Sequence, residues 1–247
     1  STLMLAGIRD IALVTSKLHF NSFKNLFENV SELGIKITLI PQESPGGLPQ
    51  GFILAESFIG EDAITMILGD NIFYGTGIGP NFIDLSHSNG AKIYLYEVAN
   101  PNEFGVAEIE SDKIVNLTEK PSFTKSNKAI SGLYIFDNKV IKYAKNLNPS
   151  KRGELEMVDL LMEYHKTKNL NYEIMSRGIF WLDAGTFESL SDASQYIRLV
   201  QTRQGLKIGC IEEISWRKGW ISDEKLIQIA KKIPNPYYSR YLLSLLK

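Results

Sequence analysis

Met66-Ile67-Leu68-Gly69-Asp70-Asn71-Ile72-Phe73-Tyr74-Gly75 is the stretch that decides how this chain folds. The apolar run Ala63-Ile64-Thr65-Met66-Ile67-Leu68 enters it without alternation, as a strand buried on both faces of a parallel sheet does, and Gly69-Asp70-Asn71 ends that strand in a turn. Asp70 then stands at the strand's carboxyl end, the edge of an open α/β sheet where ligands bind, and is a candidate for holding a metal or a phosphate. A turn in which Asp70 or Asn71 bonds its own backbone has the same local sequence.

Upstream of this strand, residues 2–6 read as the end of a helix with Gly7 after it, Ile11 to Thr15 as a strand, and Ile35 to Ile40 as another. Between the two strands, Phe20, Phe23, Leu26, Phe27, Val30 and Leu33 recur at helical spacing up to Gly34. A Gly- and Pro-rich loop from Pro41 to Gly51 leads to a helix near Phe52 to Phe58. Downstream, a helix near Asn81 to Ser88 and a strand from Lys92 to Val98 follow. A hairpin comes next, Phe104 to Ile109 and Ile114 to Glu119 around Ser111-Asp112-Lys113. Ala129 to Phe136 is a strand, and helices are predicted over Asn138 to Lys145 and Gly153 to Thr167. Strands at Leu170 to Met175 and Ile179 to Leu182, a helix from Phe187 to Val200 and a mainly helical tail over residues 205–247 complete the chain. Such alternation of strand and helix predicts right-handed crossovers and one α/β domain over residues 1–247. Its sheet is expected to be doubly wound, mostly parallel and Rossmann-like, with a small β appendage and a helical C-terminal tail.

Composition narrows the function classes. The 27 basic and 28 acidic residues nearly cancel and form no block, so neither a nucleic-acid groove nor a polybasic membrane patch is expected. No apolar run approaches the roughly 20 residues a membrane helix needs, and Cys210, the single cysteine, can form no internal disulfide, which fits a reducing cytoplasm. His19, His87 and His165 lack metal-ligand spacing.

Trp181-Leu182-Asp183-Ala184-Gly185 repeats the theme of a strand ending in an acid and a glycine. Two strand-end carboxylates, Asp70 and Asp183, are the few hard oxygen donors a divalent cation needs when it bridges phosphate oxygens in nucleotidyl transfer, provided the strands are neighbours. Gly46 and Gly47 permit close backbone approach to a ligand, and Gln42 carries the donor and acceptor to pair with a base edge. Glu119-Lys120-Pro121 offers an acid for sugar hydroxyls and a base for a phosphate, or an ordinary surface ion pair. Arg152-Gly153-Glu154-Leu155-Glu156 reads as an acidic helix start that complements its own dipole, a place where function and capping can coexist.

Taken in order, Gln42-x-Ser44-Pro45-x-Gly47-Leu48-x-Gln50, Leu68-Gly69-Asp70-Asn71, Phe104-Gly105-Val106, Glu119-Lys120-Pro121, Ser131-Gly132-Leu133-Tyr134, Arg152 to Glu156 and Trp181-Leu182-Asp183-x-Gly185-Thr186 resemble the sugar-1-phosphate nucleotidylyltransferases over essentially the whole chain. Arg203-Gln204-Gly205-Leu206-Lys207 and the segment from Glu212 to Gly219 resemble the thymidylyltransferase branch. The resemblance implies attack of glucose 1-phosphate on the α-phosphorus of dTTP, giving dTDP-glucose and pyrophosphate for deoxysugar synthesis of the dTDP-rhamnose type. It implies Mg²⁺ on Asp70 and Asp183, with Gln42 and Gly47 reading thymine and Leu48 and Leu68 lining the pocket. Gly105, Glu119, Lys120, Ile130, Tyr134 and Trp181 would surround the sugar phosphate. A cytoplasmic homotetramer is also implied. Family members begin with a strand, a Gly-rich loop carrying Gly-Thr-Arg and a lysine, none of which is found here, so the chain is expected to be an N-terminally incomplete member. The alternative is a non-catalytic truncated paralogue that binds a sugar nucleotide or pairs with a full-length subunit. Gly46, Phe104 and Ala184 replace an acid, a tyrosine and a threonine common in the family.

Overall fold

The structure, a computed structural model, describes residues 1–79, 82–83 and 89–247. The helix expected over Asn81 to Ser88 lies largely outside the described residues. In chain order the elements are α1 (Thr2–Leu5), β1 (Asp10–Ser16), α2 (Lys17–Leu26), β2 (Lys36–Gln42), α3 (Gln50–Leu54), α4 (Glu56–Ile59), β3 (Ile64–Ile67), β4 (Asn71–Gly75), β5 (Ala91–Glu97), β6 (Gly105–Glu110), β7 (Lys113–Glu119), β8 (Lys128–Phe136), α5 (Lys139–Lys145), α6 (Met157–Lys166), β9 (Leu170–Ile174), β10 (Ile179–Asp183), α7 (Phe187–Gln204), α8 (Ile211–Arg217), α9 (Asp223–Lys232) and α10 (Pro236–Ser244).

The α/β class holds, with mixed strand pairing. β5 is parallel to β9 and antiparallel to β8, while β3 pairs antiparallel with β8. Strands β3, β5 and β9 therefore share one direction, as a doubly wound sheet requires, but β8 runs against them and breaks the expected mostly parallel ladder. The hairpin β6–β7 joins β8 at Ala129, and β1 pairs in parallel with β2 in a ladder of its own.

Burial explains which strand is central. β5 sends Ile93 and Leu95 to one core cluster and Tyr94 to the other. β8 alternates likewise, Ile130, Tyr134 and Phe136 against Leu133 and Ile135, and from Ala129 to Phe136 it is buried throughout. β3 was expected to be the strand covered on both faces, yet its residues are only half-buried because β8 is its single bonded neighbour among the described residues. The first cluster packs beneath α3, α5 and α6, the second holds the short antiparallel ladder β4–β10, and a third gathers α8, α9 and α10 around Met4, Leu33 and Ile35.

Three local expectations are corrected. The helix read over Phe20 to Leu33 divides into α2 and a 3₁₀ turn at Val30–Leu33, and Gly34 then adopts φ +75°, the left-handed stop its sequence position suggests. Residues 153–156 are not helical: Gly153 has φ +79° and the Leu155 N–H donates to the Gly46 carbonyl, so α6 starts at Met157. Asn71–Gly75 is a strand, β4, that the sequence reading did not separate from the turn before it. The Ser111-Asp112 turn closes the β6–β7 hairpin with φ +47° and +57° at its two central residues, the geometry whose twist suits a two-residue hairpin loop.

Candidate active site

The site begins where β3 stops. β5 occupies one edge of β8 along its length; β3 takes the other edge at Leu133 to Phe136 and β6 meets that edge only at Ala129. The edge between them, at Ile130 to Gly132, opens on a cavity of about 270 Å³. Leu68 keeps one bond there, its N–H donating to the Gly132 carbonyl at 2.9 Å, and the chain then turns through Gly69 and Asp70 into β4.

The register of β4 with β10 sets Asn71 opposite Asp183, Ile72 opposite Leu182 and Phe73 opposite Trp181. The Ala184 N–H donates to the Asp70 carbonyl at 2.7 Å, clamping the two acid-bearing turns together. A Cβ placed on Gly185 would stand 3.4 Å from Asp183 Oδ2 and 3.7 Å from Asp70 Oδ2, so both carboxylates converge on that glycine. The adjacency comes from an antiparallel ladder laid beyond the sheet strand, not from neighbouring parallel strands. Burial raises the Asp183 carboxyl above the ordinary aspartate range, with the negative charges of Asp70 and Glu103 adding to it against its own backbone hydrogen bond and Lys120.

This donor set fits a small divalent cation held in part by water and substrate. Asp70 and Asp183 supply two hard oxygens on one side of the cavity, and among the described residues no three His, Cys, Asp or Glu side chains form a cage that would supply a full shell. Mg²⁺ characteristically takes one or two carboxylates and leaves its other positions to waters and phosphate oxygens.

In the same lining, β6 and β7 pair Gly105 with Glu119. A Cβ at Gly105 would come 3.1 Å from Glu119 Oε2, so the missing side chain makes room for that carboxylate. Partial burial raises the Glu119 carboxyl; Lys120 and Arg152 pull it back and Glu156 and Asp159 push it further. Lys120 has φ +41° directly before Pro121, a sparsely populated backbone state for a non-glycine residue, and its N–H is held by the Phe104 carbonyl at 3.0 Å. Tyr134 and Ile130, both buried, line the floor; burial, with the Glu119 charge behind it, lifts the Tyr134 phenol far above its usual range. Trp181, 7% exposed, closes one side, tilted against Phe104 with ring centroids 5.3 Å apart and edge-on to Tyr96 at 5.6 Å.

Of the residues to which the resemblance gives a metal or substrate role, Gln42 alone is absent from the cavity lining, and Gly46 beside Gly47 is absent too. Its amide donates to Gln50 Oε1 at 2.6 Å, and a Cβ at Gly46 would stand 2.4 to 2.5 Å from the Gln50 amide, so Gly46 is what admits that pair. Gly47 and Leu48 do line the cavity, but Gly47 has φ +85° and its missing Cβ would lie 2.0 Å from the Leu155 carbonyl oxygen. The glycine is thus required by a loop-to-loop bridge, Gly47 to Leu155, that closes one end of the cavity.

Sequence reasoning missed several lining residues. Arg152, Glu154 and Glu156 were read as a helix start, yet they face the cavity, with Arg152 paired to Glu156 at 2.7 Å. Their place in the ordered motif series was the available signal. Nothing local marked Glu103 or Val158, which reach the cavity from the turn before β6 and from α6.

Compared with known proteins, residues 1–199 match the family model described as nucleotidyl transferase. The whole chain is 46% identical to a glucose-1-phosphate thymidylyltransferase of Neisseria meningitidis and 44% identical to one of Mycolicibacterium smegmatis, covering 86% of each relative. Among solved structures, a glucose-1-phosphate thymidylyltransferase from Bacillus anthracis crystallised with sucrose superposes with a TM-score of 0.75 at 37% identity, over 85% of this chain and 82% of that one. A UDP-glucose pyrophosphorylase with UDP-glucose shares the fold, with a TM-score of 0.64 at 21% identity over 79% of this chain and 83% of that one. The chain therefore belongs to the nucleotidyl transferase family, and the glucose-1-phosphate thymidylyltransferases are relatives that it matches along its whole length.

Proposed function

We propose that this protein transfers a thymidylyl group from dTTP to glucose 1-phosphate, releasing pyrophosphate and forming dTDP-glucose. The observation that carries the reading is the convergence of Asp70 and Asp183 at one end of a cavity whose other walls hold the cations and acids suited to a sugar phosphate. Family membership and the similarity to thymidylyltransferases support the choice of substrates.

The residues divide the work by chemistry. Lys120 and Arg152 present positive charge to the nucleophilic phosphate and reduce the repulsion between two anions that must meet in line. Glu119 accepts hydrogen bonds from sugar hydroxyls, while Trp181 and Tyr134 give the sugar an aromatic wall and a buried floor. Leu48 and Leu68 exclude water beside the nucleotide, and Gln42, whose amide is held by Gln50 outside the cavity lining, is assigned to the base by the family resemblance alone. Mg²⁺, held by Asp70 and Asp183, would screen the phosphate charge and favour in-line geometry. A homotetramer acting in the cytoplasm, in a pathway of the dTDP-rhamnose type, is part of the same proposal. No helix of the described residues is long and apolar enough to cross a membrane.

Mass spectrometry of products tests the substrates. Incubation of the purified protein with dTTP, glucose 1-phosphate and Mg²⁺ is expected to yield dTDP-glucose, with lower kcat/KM when dCTP or galactose 1-phosphate is substituted. A preference for another nucleotide or sugar phosphate would contradict the assignment, and light scattering checks the tetramer.

A further inference from the structure

Asn71 opens β4 next to Asp70, and the direction in which its amide points is settled by its neighbours. The side-chain oxygen accepts the indole Nε1–H of Trp181 at 2.7 Å and the backbone N–H of Gly132 at 3.2 Å. Both of those groups are donors and neither can accept, so the oxygen has to face them and the amide nitrogen has to face the other way. There it donates to Asp70 Oδ1 at 2.7 Å. Oδ1 is thereby engaged, and Oδ2 is the oxygen that lies beside Gly185 and Asp183.

The surroundings leave the amide little freedom. A Cβ on Gly132 would come 2.7 Å from both Asn71 Oδ1 and Leu68 Cγ, so the glycine makes the space in which this junction of β3, β4, β8 and β10 closes. Asn71 therefore joins three things: the carboxylate of the turn, the strand that forms the cavity floor, and the aromatic wall.

We infer that Asn71 is a positioning residue that ties Trp181 to the cation-facing carboxylate, fixing Asp70 so that Oδ2 is presented towards Asp183. This rests on the proposal that Asp70 and Asp183 hold a divalent cation. Its consequence is specific: the affinity for the cation depends on the indole N–H of Trp181, although that N–H is given to Asn71 and to no carboxylate. Partners that orient a metal ligand commonly contribute 10- to 100-fold in metal affinity.

The test is a double-mutant cycle read by equilibrium binding of Mn²⁺ alone, with free Mn²⁺ counted by electron paramagnetic resonance in the absence of nucleotide and sugar. Asn71→Ala is expected to weaken Mn²⁺ binding by about 10-fold, and Trp181→Phe, which deletes the N–H and keeps a ring, by roughly 3-fold. The double variant is expected to bind no more weakly than Asn71→Ala, because the indole acts only through the amide. Unchanged Mn²⁺ affinity in Trp181→Phe, or effects that multiply in the double variant, would overturn the inference. The Trp181→Phe arm decides alone if Asn71→Ala does not fold. Asp70→Asn separates this outcome from the underlying reading: if it leaves Mn²⁺ binding intact, the assignment of Asp70 to the cation fails, whatever Asn71 does.

Discussion

Asp183 sits where its charge is disfavoured, since burial and then the nearby charges of Asp70 and Glu103 raise its folded-state pKa. A carboxyl whose pKa is raised on folding binds its proton more tightly in the folded state, so it lowers stability as pH rises from the unfolded aspartate value of about 4 through the raised value. Above that raised value the loss is complete. Asp183→Asn should therefore raise Tm at pH 7 by roughly 2 °C, with the difference from wild type closing at pH below about 4. Calorimetry at the two pH values checks this, and a lowered Tm at pH 7 would contradict the electrostatic account. The same substitution should abolish the rise in Tm that Mg²⁺ gives the wild-type protein. Gly132→Ala tests the packing behind the site: its methyl would meet Asn71 and Leu68 at 2.7 Å. A loss of about 1–3 kcal/mol in urea melts is expected, together with a fall in kcat/KM.

At this scale the two acids were legible because each ends an apolar run with a small turn. Asn71 was not, because its role depends on donors from β8 and β10, 61 and 110 residues away.

Among elements, the bridge between the loop after β2 and the segment before α6 carries the clearest prediction. Gly47 packs at φ +85° against the backbone of Leu155, and the Leu155 N–H holds the Gly46 carbonyl at 2.9 Å. Gly47→Ala should break that bridge, and because one segment carries Leu48 and the other Arg152, KM should rise for both substrates. A rise for one substrate alone would show that the two segments are not mechanically joined. A second element contact is the buried Asp137 after β8, which accepts the Tyr164 hydroxyl of α6 at 2.7 Å and the Gly90 N–H at 3.0 Å. Tyr164→Phe should lower stability by about 1–2 kcal/mol, or roughly 2–6 °C in Tm, with kcat unchanged within about twofold; thermal melts and kinetics check both.

Strand positions such as those of β1, β5 and β8 followed from unbroken or alternating apolar runs, which depend on the residues themselves. The helix expected from Gly153 and the strand missed at Ile72 mark where that logic ends: the former is overruled by the contact of Leu155 with Gly46, and the latter exists only because β10 arrives to pair with it.

For the molecule as a whole, the tail read as mainly helical forms a third core, in which Leu226, Ala230 and Leu242 are fully buried with Met4 of α1 and Ile35 just before β2. Leu242→Ala should cost about 2–5 kcal/mol and, lying away from the cavity, change stability without changing KM. Urea melts and steady-state kinetics on one preparation separate the two effects. The α/β class could be read from the alternation of periodicities, whereas the antiparallel insertion of β8 could not, since reversing a strand leaves its apolar pattern unchanged.

The most direct test of the central claim is pyrophosphate release from dTTP and glucose 1-phosphate, followed against Mg²⁺ concentration in the wild-type protein, Asp70→Asn and Asp183→Asn. Release is expected to require Mg²⁺ and to fall by at least about 100-fold in each variant while both remain folded. Release that persists in either variant, or proceeds without a divalent cation, would contradict that claim.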